Sequence, residues 1–285
     1  LMRPSRGPKA KGPLIKAAAR LKDEELMPQT IAIINQKGGT GKTTTAVNLA
    51  AGLAKGGRSV LLIDLDPQAH ATYGLGFDQE ESDRPTICDA LSEDAKPLYE
   101  IMLATSEPSL KLVPSDIRLA RTARLLDGRA FREMVLKKAL AKTSGFDTVI
   151  IDCQPTLDVL AINALVAADK ILIPTQLAGH ALKGLSDLLA TLESIKSGED
   201  YDWRILLTMV TGQGGERQAQ ASRILEPIQD RILKTRIPRT EAIEKSQMEG
   251  DDDEPLTPVV LSKNWNRGSQ AYRALVKEVT ELWPV

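Results

Sequence analysis

Short runs of apolar residues recur along the chain from residue 31 onward, and stretches with a helical pattern separate them. Most of these runs are continuous rather than alternating, which is typical of parallel strands that are buried on both faces of a sheet. The alternation of strands and helices predicts an α/β fold, a single doubly wound, mostly parallel sheet with helices on both faces. The predicted strands are 31–35, 59–66, 110–115, 148–153, 170–175, 203–210 and 232–238.

The helical patterns predict a helix from Lys42 to about Lys55, another over 180–196 and a last one over about 269–282. The last helix is amphipathic, and its polar face mixes arginine and lysine with glutamate, whereas helices that lie on membranes are usually enriched in basic residues there. We therefore expect it to pack on the core, with no stable membrane association. Its apolar stripe consists of Tyr272, Leu275, Val276, Val279 and Leu282.

Charge divides the 285 residues into an arm and a body. Residues 1–22 hold seven basic side chains and no acidic one, so the other residues hold 30 basic and 38 acidic groups, a net charge of −8. We predict a flexible basic arm over 1–28 and one globular domain over 29–285. A basic arm can bind nucleic acid or an acidic partner, or it can be a solvated tail.

Composition excludes several kinds of protein. Hydrophobic residues make up 42% of the chain, which suits a globular core, and no apolar run is long enough for a membrane-spanning helix. The two cysteines, Cys88 and Cys153, match neither a disulfide framework nor a zinc-site spacing, which indicates a reducing cytoplasm. Two histidines leave little room for histidine-based metal or triad chemistry.

A glycine-rich segment, "KGGTGKTTT" (37–45), lies between the first predicted strand and the first predicted helix. Its glycines allow backbone N–H groups to curl around a phosphate without interference from Cβ atoms. The helix that follows directs its N-terminal dipole at the anion, and Lys42 supplies a positive charge to the β- and γ-phosphates. The hydroxyl of Thr43 suits a Mg²⁺ ligand. The segment therefore predicts a nucleotide phosphate site.

Three aspartates end predicted strands. Asp64 and Asp66 close the strand over 59–66, and Asp152 lies at the end of the strand over 148–153. Ligands of open α/β sheets bind outside the carboxyl ends of the strands, so we expect all three acids near the phosphate loop. Asp64 and Asp66 are two residues apart in an extended strand and point to opposite sides, which predicts different roles for them.

Several segments occur in an order known from one family: "NQKGGTGKTTTAVNLA", "VLLIDLDPQAHATYGLG", "VIIDCQPTLDVLAINALVAADKILIPTQ" and "RGSQAYRAL". Over about residues 29–283 the chain resembles the ParA-type partition ATPases of the ParA/MinD group. The resemblance implies a P-loop ATPase domain over 29–285, which uses ATP and Mg²⁺ and hydrolyses ATP to ADP and phosphate at a weak basal rate. It further implies a deviant Walker A motif at 37–43.

Residue roles carry over from this resemblance. Lys37 would be the signature lysine, which reaches across a sandwich dimer to the partner's phosphates, while Lys42 grips its own ATP. Asp66 would orient or activate the attacking water. The metal-site residues that the resemblance implies are Thr43, Asp64, Asp66 and Asp152, the last acting on Mg²⁺ through water. The nucleotide contacts that it implies are Lys37, Gly38, Gly39, Thr40, Gly41, Lys42, Thr43 and Thr44, with Pro238 and Arg239 on the adenine side.

Members of the ParA branch bind nonspecific double-stranded DNA as ATP dimers and are stimulated by a ParB-type partner. The resemblance therefore implies a homodimer, DNA and a ParB-type activator as partners, and a cytoplasmic, nucleoid-associated location. Residues 204–239 carry seven basic groups against three acidic ones, which fits DNA binding but also a mixed solvated face. The candidate DNA-binding residues are Arg204, Arg217, Arg223 and Arg236.

The chain departs from the family pattern at several places, two of which bear on hydrolysis and DNA binding. Gln154 stands where the family commonly has a proline after the Walker B acid, which could change the hydrolysis rate. The segment 249–254, "EGDDDE", stands where relatives often carry a lysine, and it should repel DNA locally. Two alternative functions remain open from sequence: an ATPase that positions a protein cluster or microcompartment, and a nucleotide-gated regulator of its own promoter.

Overall fold

The computed structural model describes residues 27–77, 84–177, 181–198, 201–211, 223, 225–246 and 257–285. The strands within these ranges are β1 (Gln29–Ile33), β2 (Val60–Leu65), β3 (Leu103–Ala104), β4 (Leu110–Val113), β5 (Thr148–Cys153), β6 (Lys170–Gln176), β7 (Asp202–Val210) and β8 (Ile232–Pro238). The helices are α1 (Lys42–Lys55), α2 (His70–Gly74), α3 (Ile87–Leu91), α4 (Leu119–Asp127), α5 (Val135–Leu140), α6 (Val159–Ala167), α7 (Ala181–Lys196), α8 (Glu241–Lys245) and α9 (Arg267–Leu282).

The strands form a single eight-stranded sheet in the order β3-β4-β2-β5-β1-β6-β7-β8. Every neighbouring pair is parallel except β3 and β4, so the predicted mostly parallel α/β sheet is confirmed. Each predicted strand lies within two residues of an observed one. The edge strand β3 was not predicted, because two residues are too few to show a hydrophobic pattern.

Apolar side chains cover both faces of the sheet. Along β1, Ile31 and Ile33 enter one core layer, which contains α1 and α9, while Ala32 enters the other layer, which contains α3 to α7. Because successive side chains of a strand point to opposite faces, a central strand of a doubly covered sheet must be apolar at every position. The continuous apolar runs of the sequence follow from this arrangement.

The last helix packs on the core, as its apolar stripe predicts. Tyr272, Leu275 and Val279 of α9 are almost fully buried in the layer that also contains α1. The two helices approach closely at Gly52, where an added Cβ would lie 2.4 Å from a methyl carbon of Val276. A larger residue at Gly52 would push α9 away from α1, which holds the phosphate loop.

Some predictions fall outside the described residues: those for the arm before residue 27, for Arg217 and for the acidic segment 249–254. None of the helices in the described part of the chain is long and apolar enough to cross a membrane.

Candidate nucleotide site

The phosphate loop connects the end of β1 to the start of α1. Gly39 and Gly41 have φ angles of +70° and +80°, in the left-handed region that side chains with a Cβ rarely adopt. Gly41 directly precedes the first helical residue, Lys42, so the loop turns sharply into the N-terminus of α1. This geometry directs backbone N–H groups and the positive end of the helix dipole at one point, as an anion site requires.

Side chains and backbone groups hold the carbonyl side of the loop. The carbonyl oxygen of Lys37 accepts hydrogen bonds from the Thr40 hydroxyl and from Nζ of Lys42, both at 3.3 Å. The hydroxyl of Thr208, near the end of β7, donates to the carbonyl of Thr40 at 2.8 Å, and Gln176, at the end of β6, donates to the carbonyl of Gly39 at 2.5 Å. With the carbonyls fixed in this way, the amide side of the loop is left for an anion.

A cavity of about 780 Å³ opens over the loop and the N-terminus of α1. Lys42, Thr43 and Asp66 all line it, whereas the half-exposed Lys37 does not. Gly38 is exposed, and an added Cβ there would meet nothing within 4 Å. The outer rim of the loop is therefore open toward solvent at Gly38, while Lys42 lies inside. The other lining residues are Gly38, Gly39, Thr40, Gly41, Thr44, Val47, Asn48, Gln68, His70, Tyr73, Gly74, Pro155, Met209, Ser246 and Pro258.

Asp64 and Asp66 have different surroundings. Asp64 is fully buried, and its carboxylate accepts hydrogen bonds from the backbone N–H and hydroxyl of Thr72 at 2.8 and 2.7 Å and from the N–H of Asp66 at 3.2 Å. Burial raises the pKa of Asp64 to about 7, against these hydrogen bonds. Asp66 lines the cavity and accepts from the N–H of Gln68 at 2.9 Å. Asp64 thus anchors the start of α2, and Asp66 faces the cavity.

Asp152 lies opposite Asp64 in the register of β2 and β5. Its side chain is fully buried, and neither carboxylate oxygen has a hydrogen-bond partner among the described residues. Burial, followed by the nearby charge of Asp64, raises its pKa well above the ordinary value, while Thr43 and Lys42 act in the opposite direction. A buried carboxylate without partners is costly, so it fits a role that a cation or its bound water would complete.

The ammonium group of Lys42 shares this environment. Burial lowers the pKa of Lys42, and the nearby Asp152 and Asp66 oppose that effect. Within the described ranges, no group of three or more His, Cys, Asp or Glu side chains is arranged to hold a metal ion. Magnesium that is bound with nucleotide phosphates usually takes only part of its ligands from the protein. Thr43 and Asp152 are the residues that fit it.

The adenine-side residues that the resemblance implies do not line the cavity. Pro238 ends β8, and Arg239 points its guanidinium at Glu244 at 2.9 Å. Instead, Met209, Ser246 and Pro258 line the cavity from distant parts of the chain. Met209 has a φ angle of +52° at an irregularity in the pairing of β7 with β8. No local pattern in the sequence marks these residues.

The candidate DNA-binding arginines differ in exposure. The side chain of Arg204 is only 19% exposed and forms an ion pair with Asp202 at 3.1 Å, so it is held within the protein. Arg223 and Arg236 are exposed and line a second groove with Lys234, along the edge strand β8. Two of the four arginines are thus brought together on one open surface.

Gln154 lies two residues after Asp152. Its amide donates to Asp158 at 2.5 Å, and Asp158 in turn caps α6 by accepting from the N–H of Leu160 at 3.0 Å. Gln154 therefore ties the segment after β5 to the start of α6. Whether this bond changes the hydrolysis rate stays a prediction.

Comparison with known proteins identifies the family. A family model described as an AAA domain matches residues 28–205. The chain is also 39% identical over 257 residues to the sporulation initiation inhibitor protein Soj of Bacillus subtilis, which covers 89% of this chain and 98% of that protein. The chain belongs to the ParA/MinD-type partition ATPases. The chromosome partitioning protein ParA of Myxococcus xanthus is 36% identical, over 87% of each chain.

A solved structure supports the fold and the ligands of this ATPase family member. The cobyrinic acid a,c-diamide synthase of Mycobacterium smegmatis, with a bound ATP analogue and magnesium, has a TM-score of 0.73 and 32% identity. The similarity covers 90% of this chain and 96% of that one. The phosphate loop, Thr43 and the unpartnered Asp152 described above are consistent with ATP and Mg²⁺ as ligands here.

Proposed function

We propose that this chain is an ATP-dependent partition protein that dimerises on ATP, binds nonspecific DNA and hydrolyses ATP under stimulation by a ParB-type partner. The observation that carries the proposal is the contrast between two lysines of one loop. Lys42 lines the cavity beside Asp152, while Lys37 lies outside the cavity next to the open rim at Gly38. This arrangement supports one lysine for the chain's own nucleotide and one for that of a second copy.

Hydrolysis of ATP depends more on positioning and charge than on covalent chemistry. In the proposed reaction, Lys42 binds the β- and γ-phosphates, and Asp66 orients the attacking water from the wall of the cavity. Thr43 and Asp152 would hold Mg²⁺, which neutralises charge on the phosphates when it is bound. Lys37 of a second subunit would add a positive charge, and its attraction to the phosphate oxygens would increase as negative charge develops on them during transfer of the γ-phosphate.

Dimerisation in this scheme depends on ATP. The γ-phosphate attracts the partner's Lys37, so its removal weakens the dimer. The exposed Arg223, Lys234 and Arg236 supply a surface for DNA phosphates at the edge strand β8. DNA retention is then expected to need ATP and to fall linearly with the logarithm of salt concentration.

Two substitutions test the division of work between the lysines. Lys42→Ala is expected to weaken ATP binding by about 30-fold or more, because it removes a buried cation from a phosphate. Lys37→Ala is expected to leave ATP affinity within about threefold, but to abolish ATP-dependent dimerisation and DNA retention. Fluorescent-nucleotide titration measures affinity, and analytical ultracentrifugation with a slowly hydrolysed analogue measures the dimer.

Lys55→Ala, at the exposed C-terminal end of α1, is the matched control and should behave as wild type. Equal losses of ATP affinity in Lys37→Ala and Lys42→Ala would contradict the proposed sandwich. Retention of duplex DNA without any nucleotide, to the same extent as with ATP, would contradict nucleotide-gated DNA binding.

A further inference from the structure

The segment 116–142 is a basic region on an acidic body. It carries eight basic and three acidic side chains, a net charge of +5. The remaining residues from 23 to 285 carry 22 basic and 35 acidic ones, a net charge of −13. The segment contains α4 and α5. None of its residues lines the nucleotide cavity, so its charge needs an explanation of its own.

Three large apolar side chains are exposed in the same segment. Ile117 and Leu125 are each 65% exposed, and Phe131 is 71% exposed. Two less exposed apolar residues, Tyr73 and Met209, line the nucleotide cavity, whereas Ile117, Leu125 and Phe131 all fall in one segment of the chain. Clusters of exposed apolar side chains on a protein surface commonly mark an interaction site.

These apolar residues alternate with cations along the segment. Arg121 and Leu125 are four residues apart on α4 and so share one face, with Arg124 next to Leu125, and Ile117 lies in the turn that leads into the helix. Phe131 follows shortly after α4, and Nζ of Lys138, from α5, lies 5.6 Å from the centre of its ring. We name Ile117, Arg121, Arg124, Leu125, Phe131 and Lys138 the α4–α5 patch.

The cations of the α4–α5 patch are available to a partner. Arg121, Arg124 and Lys138 are exposed, and none of the ion pairs found within the described ranges involves them. Phe131 has a φ angle of +56°, a conformation that is rare for a bulky residue. The backbone thus holds an exposed aromatic ring next to unpaired positive charge.

We propose that the α4–α5 patch docks an acidic amphipathic helix of a partner protein. Apolar residues four positions apart on such a helix would lie at about 6 Å intervals and cover Ile117 and Leu125, and glutamates between them would face Arg121, Arg124 and Lys138. The nine residues of α4 span about 12 Å, a length that suits two to three turns of a docked helix.

Two other classes of ligand fit the patch less well. DNA contacts by nonspecific binders go to phosphates through basic and polar groups, and three exposed apolar side chains add nothing to such contacts. An anionic lipid surface would face the exposed carboxylate of Asp127 at the end of α4. A peptide can place its acids only opposite the cations, so it avoids this repulsion.

A synthetic peptide tests the proposal on the full-length chain. The probe is a fluorescein-labelled helix of about 14 residues with three leucines on one face and glutamates beside them. A peptide of the same composition, with leucines and glutamates shuffled so that no face is apolar, is its control. Fluorescence anisotropy measures binding of both to wild type, Leu125→Ser, Phe131→Asn and the double variant Arg121→Glu/Arg124→Glu.

The proposal expects the ordered peptide to bind at least about tenfold more tightly than the shuffled one, and each patch variant to lose about fivefold or more. The control variants Tyr99→Ser, 70% exposed, and Lys277→Glu, whose side chain is 79% exposed, should bind as wild type. ATPase activity should not change in any of them, because these residues lie outside the nucleotide cavity.

Equal binding of the two peptides would show that the patch attracts negative charge without recognising an apolar helix face, and it would overturn the proposal. So would unchanged peptide binding in all patch variants. Duplex DNA and vesicles with anionic lipid are measured in parallel. If the patch variants lose DNA or vesicle binding but not peptide binding, the patch serves that ligand and the proposed peptide docking is wrong.

Discussion

The phosphate-loop end of the sheet and the β7–β8 edge both carry charged groups, but the fold holds them differently. At the phosphate loop, Lys42 and Asp152 are buried and lie within one compact site. At the β7–β8 edge, Arg236 of β8 is exposed, while Arg204 of the neighbouring strand β7 is paired with Asp202. The phosphate site is defined by the backbone path and by buried charges. The β7–β8 edge is defined only by which of its charged side chains are exposed and unpaired.

This difference explains why a short motif was enough to recognise the loop but not the proposed DNA surface. A phosphate loop needs particular residues at particular positions, because the left-handed glycines and the helix start fix the path of the chain. A surface for DNA phosphates needs only accessible positive charge, which many arrangements supply. Arginine spacing alone therefore does not separate an exposed arginine such as Arg236, a proposed DNA contact, from a paired one such as Arg204.

The largest effect is expected from Asp152→Asn, which changes the charge of the site but not its shape. We expect hydrolysis to fall by about 100-fold, the typical loss when one electrostatic contributor is removed from an active site. Asp187→Asn, at an exposed position of α7, is the control and should hydrolyse ATP as wild type. A steady-state ATPase assay with Mg²⁺ measures both.

Asp152→Asn should also change how the free energy of unfolding depends on pH. Burial raises the pKa of Asp152 above its ordinary value of 3.8, so the folded protein holds this proton more tightly than the unfolded one. Stability that is present below the ordinary pKa is therefore lost as pH rises through the raised pKa. In metal-free urea titrations, Asp152→Asn should lose less unfolding free energy between pH 5 and pH 8 than wild type. A variant with both low activity and a greater pH dependence would contradict this explanation.

An intermediate loss of ATP affinity is expected when the hydrogen bond from Thr208 to the phosphate loop is removed. Thr208→Val keeps the shape of the side chain but removes the hydrogen bond to the carbonyl of Thr40, so we expect ATP affinity to fall by about tenfold. Thr208→Ser keeps the hydroxyl and should bind ATP within about threefold of wild type. Fluorescent-nucleotide titration measures all three proteins.

Thr280→Val is a matched control for this test. The hydroxyl of Thr280 also donates to a backbone carbonyl at 2.8 Å, that of Val276, but at an exposed position of α9. It should leave nucleotide affinity unchanged. If Thr208→Val binds ATP as tightly as Thr280→Val, ATP binding by the loop does not depend on the hydrogen bond from Thr208.

The smallest effect is expected at the β7–β8 edge. Arg236→Ala should weaken ATP-dependent DNA binding by about threefold to fivefold and lower the salt slope by about one, as the loss of one phosphate contact does. Arg204→Ala should change DNA affinity by less than about twofold and instead cost about 1 kcal/mol of stability, since it removes an ion pair that is mostly buried. Filter binding and urea unfolding separate the two outcomes. The reverse result would show that exposure does not select the DNA-binding residues.

Some parts of the candidate site could be predicted from the sequence and others could not. The start of α1 at Lys42 and the position of Asp152 at the end of β5 follow from apolar runs and a glycine-rich turn, which are local patterns. The hydrogen bonds from Gln176 and Thr208 to the loop are not local, because each joins residues more than 130 positions apart in the chain. The cavity wall at Met209 and Pro258 is not local either, because both residues are far from the loop in the chain.

The sequence by itself determined the strand and helix pattern, the phosphate loop and the family, since each rests on residues that lie close together in the chain. Only the tertiary structure decided which charged groups are buried, paired or open. Asp64 is engaged by Thr72, Asp152 has no partner among the described residues, Arg204 is paired and the α4–α5 patch is exposed. The physical reason is that burial and pairing depend on neighbours brought together by the sheet order, and a one-dimensional pattern holds no record of those neighbours.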